Sequence, residues 1–108
     1  MKNFKLVFSP EFMNNLTETI EYIKRDSVDA AKIFHRNVRK KITLLKKFPE
    51  MGRTADDPRL RGIRILVIGN YLVLYEVITN ESAIYLHGFC HGARDYPNIF
   101  KNLRHAKK

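Results

Sequence analysis

The sequence predicts an α/β fold of the α+β kind: an N-terminal strand, a helical hairpin, then a three-stranded antiparallel meander forming one sheet packed on the two helices. Three observations carry this. Apolar residues recur at helical spacing through positions 12–23 and again through 31–45. The apolar runs at residues 65–68 and 71–75 are of strand length. The links that follow them, Gly69-Asn70 and Thr79–Glu81, are short enough for adjacent antiparallel strands. A chain of 108 residues has room for one core, so residues 1–97 read as a single domain and 98–108 as a basic tail, a short helix or a disordered end.

Taken in order, residues 5–8 form the first strand. Ser9-Pro10-Glu11 then opens a helix, with Ser9 as N-cap, Pro10 at the first helical position and Glu11 at the positive end of the dipole. Phe12, Leu16, Ile20 and Ile23 make its apolar stripe. Ser27 is a second N-cap, with Asp29 in the turn that follows. Ala31, Phe34, Val38, Ile42 and Leu45 carry the second stripe to about Lys47, where Phe48-Pro49 ends the helix. Residues 50–62 are the longest irregular stretch and, at that length, a functional candidate. Residues 63–68, 71–78 and 82–89 are the meander strands. Tyr71, Val73, Tyr75 and Val77 share one face of the middle strand and are read as core against the helices. Apolar residues on the other face call for a partial cover or a partner.

Charge is concentrated. Residues 30–64 hold 11 Lys and Arg against 3 acids, in a chain whose net charge is +9 and whose pI is about 9.9. Such a balance suits nucleic acid, an acidic protein or an anionic membrane surface, and 44 % hydrophobic residues exclude a wholly disordered chain. Cys90 is the only cysteine, so no internal disulfide framework exists. No long apolar run follows the basic start, so neither a signal peptide nor a membrane span is expected, and cytoplasmic localisation is the default.

Two clusters carry chemistry. Arg39, Lys40, Lys46, Lys47, Arg53, Arg59, Arg61 and Arg64 form a candidate surface for a polyanion, since several cations on one face neutralise phosphates and Arg grips them bidentately. The plain alternative is a solvated helix face. His91, Arg94, Asp95 and Tyr96 form the second cluster. An imidazole and a phenol can carry protons while Arg stabilises phosphoryl charge. The alternative here is an Arg94–Asp95 salt bridge locking the chain end, with His91 at the rim. His87, Cys90 and His91 lack a fourth ligand, so no metal is expected, and no cofactor. Cys90 beside Phe89 reads as buried rather than nucleophilic.

The order of these features resembles the RelE/ParE superfamily of toxins from type II toxin–antitoxin pairs. The resemblance covers residues 4–97. It rests on Ser9-Pro10-Glu11-Phe12, the junction from Leu44-Leu45-Lys46-Lys47-Phe48-Pro49 to Gly52-Arg53, Gly69-Asn70-Tyr71 with Leu74-Tyr75-Glu76, and the closing His91-Gly92-Ala93-Arg94-Asp95-Tyr96. It implies a cognate acidic antitoxin whose extended or helical tail lies in a groove of the toxin. Two activities divide the superfamily: RelE-like members cut mRNA on the ribosome without metal, and ParE-like members poison DNA gyrase. The Arg that commonly follows the third-strand Tyr in RelE-like enzymes is Leu72 here, and no acid and histidine partners for His91 stand out within residues 50–62. The expectation is therefore ParE-like, with Arg53, Arg61, Arg64, His91 and Arg94 acting by contact. The alternatives are a ribosome-dependent endoribonuclease using His91, Arg94 and Tyr96, and a non-toxic basic protein-binding module.

Overall fold

Residues 3–103 are described by the computed structural model. The tail from 104, with His105, lies outside them. Ser9 starts the first helix as its sequence requires: its Oγ accepts the Phe12 N–H at 3.0 Å, and its hydroxyl donates to the His87 carbonyl at 3.1 Å. The cap thus also ties α1 (Pro10–Asp26) to the strand beneath it. Ser27 ends α1 and begins α2 (Val28–Leu44) at once. Its N–H donates to the Ile23 carbonyl, and its Oγ accepts the Ala30 N–H at 3.0 Å. One extended residue therefore makes the whole hairpin turn. α2 stops at Leu44 rather than near Lys47. Residues 45–47 tighten into a turn whose N–H groups reach back three residues, which clears the chain for Pro49.

The sheet has five strands, not three, in the order β1-β5-β4-β3-β2. The expected meander is present as β3 (Ile63–Ile68), β4 (Tyr71–Ile78) and β5 (Ala83–His91), all antiparallel. β1 (Lys5–Phe8) joins one edge, parallel to β5. The segment expected to be irregular supplies the other edge as β2 (Arg53–Thr54), which pairs with Ile65 and Arg64. A two-residue strand has no alternation to announce it.

Both faces of the sheet are covered. Phe12, Leu16, Val38, Ile42 and Leu45 press from the helices onto Leu66, Val73, Tyr75, Ile84, Leu86 and Phe89. Tyr71 and Val77 border that core, as the four-residue face of β4 predicts. On the far face Leu60, Ile63, Ile65, Leu72, Leu74, Cys90 and Phe100 form a smaller cluster. It is closed by the turn Pro58–Leu60 and by the segment that begins with α3 (Tyr96–Ile99). Phe100 lies so close over Gly88 that a Cβ there would meet the ring. A bulge between Leu74 and Tyr75 leaves His87 without an opposite number in the register, and its Nε2 sits 3.0 Å from the buried Glu76 Oε1.

Candidate functional site

The end of β5 meets the polar side of α1 across a groove of about 410 Å³. His91 and Arg94 line it from the strand end, with Asn15, Glu18, Thr19 and Tyr22 opposite on the helix. The groove's geometry follows from local bonds. Asn15 Oδ1 accepts the Phe89 N–H at 3.1 Å, holding α1 over the strand end. Gly92 N–H continues the ladder to the Asn70 carbonyl at 2.7 Å, and Arg94 N–H closes a turn on the His91 carbonyl at 3.0 Å. His91 is oriented from two sides. Its Nδ1 accepts the Ala93 N–H at 3.0 Å, and its ring stands edge-on to Tyr71 at 5.2 Å. Tyr71 is itself stacked on Phe89 at 5.3 Å. The Nδ1 bond places the ring proton of neutral His91 on Nε2.

Of the predicted cluster, His91 and Arg94 come together and the others part from them. Tyr96 packs against the far-face cluster. Asp95 caps α3, its Oδ1 accepting the Asn98 N–H at 3.5 Å, and no ion pair joins it to Arg94 among the described residues. Cys90 is buried, and burial pushes its thiol up while nearby Arg94 pulls the other way. That opposes thiolate chemistry. His87 faces Glu76 on the far side while His91 faces Tyr71, so the His87, Cys90, His91 trio does not converge. Among the described residues no group of three His, Cys, Asp or Glu gathers in a metal-holding arrangement.

The eight predicted cations also divide. Arg39 and Lys40 lie on the outer face of α2, where Lys32, His35 and Arg36 join them along a shallow groove of about 680 Å³. Lys46 and Lys47 are exposed in the turn after the helix, and Arg53 is exposed on β2. Arg64, half-buried, donates from one guanidinium nitrogen to the Gly52 carbonyl at 2.6 Å and the Glu50 carbonyl at 3.4 Å. Arg59 is held bidentately by Asp57 at 2.9 and 2.8 Å. Hydrogen bonds from Arg59 hold the Asp57 carboxyl down at about 2. Arg61 lines a hollow with Asp56 and Asp57.

A third groove, of about 350 Å³, runs between β1, the start of α1 and α2. Phe8 and Met13, 44 % and 46 % exposed, border it with Arg39 and His35. β1 is an edge strand, so its outer backbone groups face this side. Phe8 and Met13 fall outside the stripe that defines the core, which was the sequence signal for them. The helix residues Asn15, Glu18, Thr19 and Tyr22 had no such signal. No described helix is long and apolar enough to cross a membrane.

The family model for the "ParE toxin of type II toxin-antitoxin system, parDE" matches residues 6–96. No curated protein sequence matches the chain. Among solved structures, a chain of the RelBE2 toxin–antitoxin complex from Mycobacterium tuberculosis superposes with TM-score 0.59 at 17 % identity, covering 82 % of this chain and 98 % of that one. A chain of the chromosomal ParDE toxin–antitoxin system from P. aeruginosa superposes with TM-score 0.67 at 14 % identity, covering 82 % and 95 %. At such identities these two likenesses speak for the fold.

Proposed function

Because this chain belongs to the ParE toxin family of type II toxin–antitoxin systems, we propose that it arrests growth by poisoning DNA gyrase through contacts made at the His91–Arg94 groove. The observation that carries this reading is Leu72. It follows Tyr71, where RelE-like nucleases commonly place an Arg, and it is 7 % exposed inside the far-face cluster with Ile65, Leu74 and Cys90. A cation there would be buried among aliphatic side chains, at a cost of several kcal/mol per ion. Tyr96 packs against the same cluster and is not among the residues that line the groove with His91. His91 and Arg94 are then recognition groups: a ring with a fixed Nε2–H donor and a guanidinium, set beside Tyr22 and Glu18.

The antitoxin of this reading is an acidic chain with apolar anchors. The groove bordered by Phe8 and Met13 takes the anchors, and Arg39 at its rim takes the charge. Purified gyrase tests the target. With the protein added, supercoiling should fall and cleaved DNA should accumulate; unchanged supercoiling from a preparation that still arrests growth would overturn the reading.

One observation favours a second reading, a ribosome-dependent endoribonuclease. His91 Nε2 points to no protein partner among the described residues, and Arg94 shares its groove. A proton carrier beside a phosphate clamp is a minimal requirement for RNA strand cleavage. Cleavage of ribosome-bound mRNA that is lost in His91→Gln would establish it.

A further inference from the structure

The outer face of α2 is a separate surface from the His91–Arg94 groove. Lys32, Arg36, Arg39 and Lys40 are all exposed on it, and the groove they line contains no acid. Among the described residues none of the four is in an ion pair. At 1.5 Å of rise per residue, Lys32 to Lys40 spans about 12 Å. That length of DNA duplex carries about seven phosphates. Four parallel cations this close repel one another in water and are relieved by an array of fixed negative charges.

The chemistry of the face selects among polyanions. No Phe, Tyr or Trp lines it, and His35 is its one ring, so it lacks the row of stacking platforms that holds single strands. Leu44 is the only apolar side chain among its lining residues, so it offers little to anchor an acidic peptide. The apolar anchors Phe8 and Met13 lie in the other groove, beyond His35 and Arg39. A stiff, regularly charged duplex needs neither stacking nor anchors.

We propose that α2 is a duplex-DNA backbone site, reading phosphates without sequence preference. The choice of DNA over other duplexes rests on the gyrase reading, since gyrase holds a DNA segment beside whatever docks on it. The toxin then touches its target twice: protein through the strand-end groove, and DNA through α2.

The test is fluorescence anisotropy of the full chain with a labelled 30-base-pair duplex of mixed sequence, without gyrase, from 50 to 200 mM KCl. If four phosphates are neutralised, log affinity should fall against log salt with a slope of about −3.6, roughly a hundredfold loss over that range. Arg36→Gln with Arg39→Gln should make the slope shallower by about two and weaken binding equally for unrelated sequences. Lys32→Gln with Lys40→Gln should do the same and serves if the first pair folds poorly. Three results would each overturn the proposal: no salt-dependent binding, a slope unchanged in both pairs, or a tenfold preference for single-stranded DNA, an RNA duplex or a polyglutamate peptide. Supercoiling run on the same samples separates the two ideas. Gyrase inhibited by a protein that does not bind duplex removes this site alone. Duplex binding with the predicted slopes but no effect on gyrase keeps the site and removes the target.

Discussion

The α2 face and the segment 50–62 both carry several cations in sequence, unopposed on the helix and matched by Glu50, Asp56 and Asp57 in the segment, and these cations do different things. On α2, Lys32, Arg36, Arg39 and Lys40 stand in solvent without ion pairs among the described residues. In and beside the segment, Arg59 is clasped by Asp57, and Arg64 from β3 holds the carbonyls of Glu50 and Gly52. The Tyr75 hydroxyl adds to this by donating to the Pro49 carbonyl at 2.7 Å and accepting the Gly52 N–H at 2.9 Å. A count of cations alone therefore does not mark a binding surface. What marks it is charge left without an internal partner.

If the segment's polar bonds serve the fold, breaking its anchor should cost stability. Gly52→Ala is the harshest test, because its Cβ would lie 2.7 Å from the Ile65 carbonyl oxygen and 2.8 Å from the Tyr75 ring. Backbone on one side leaves little room to relax, and urea unfolding should show a loss of about 3 kcal/mol. Tyr75→Phe comes next. Tyr75 is wholly buried, and losing its hydroxyl leaves the Gly52 N–H and Pro49 carbonyl without that partner, for a loss of about 2 kcal/mol in the same assay.

The Arg59–Asp57 clasp should show itself in pH. The Asp57 carboxyl sits at about 2 rather than 3.8, mainly through hydrogen bonds from Arg59. A carboxyl lowered in the folded state stabilises fully above its unfolded value and loses that contribution as pH falls toward its folded one. The stability gap between the parent and Asp57→Asn should therefore close between about pH 4 and 2, read by thermal unfolding across that range. The effect is small, because the pair is solvent-exposed. Smallest of all is Arg36→Gln on α2, which should change stability by less than about 0.5 kcal/mol. A larger loss there would mean that the α2 cations also serve the fold, and the contrast would fail.

Local chemistry made much of this architecture legible. Ser9-Pro10-Glu11 announces α1, Ser27 announces α2, and Gly69-Asn70 announces the turn between β3 and β4. What escaped is set by partners distant in sequence. β2 exists because Arg53 and Thr54 fall into register with β3, and β1 joins β5 only after the chain has returned through both helices. The far-face core depends on Leu60 and Phe100, isolated apolar residues in a loop and near the chain end, which show no periodicity.

The candidate site divides in the same way. His91 and Arg94 are brought together by one turn of four residues, which a sequence can show. Their neighbours Asn15, Glu18, Thr19 and Tyr22 arrive on the polar side of α1, about seventy positions earlier, where nothing separates a groove lining from a solvated face. Tyr96 stands two residues after Arg94 in the motif but begins α3, and α3 carries it onto the far-face cluster. Closeness in sequence did not become a shared place in the groove.

The most direct measurement is inhibition of gyrase supercoiling by His91→Gln beside the parent protein. Gln keeps size and polarity and removes titration. If the groove works by contact, both proteins inhibit supercoiling and trap cleaved DNA, with the variant weakened by no more than about tenfold, the equivalent of one hydrogen bond. If instead neither affects gyrase, while the parent cuts ribosome-bound mRNA and His91→Gln does not, His91 is a proton carrier and the contact account is wrong.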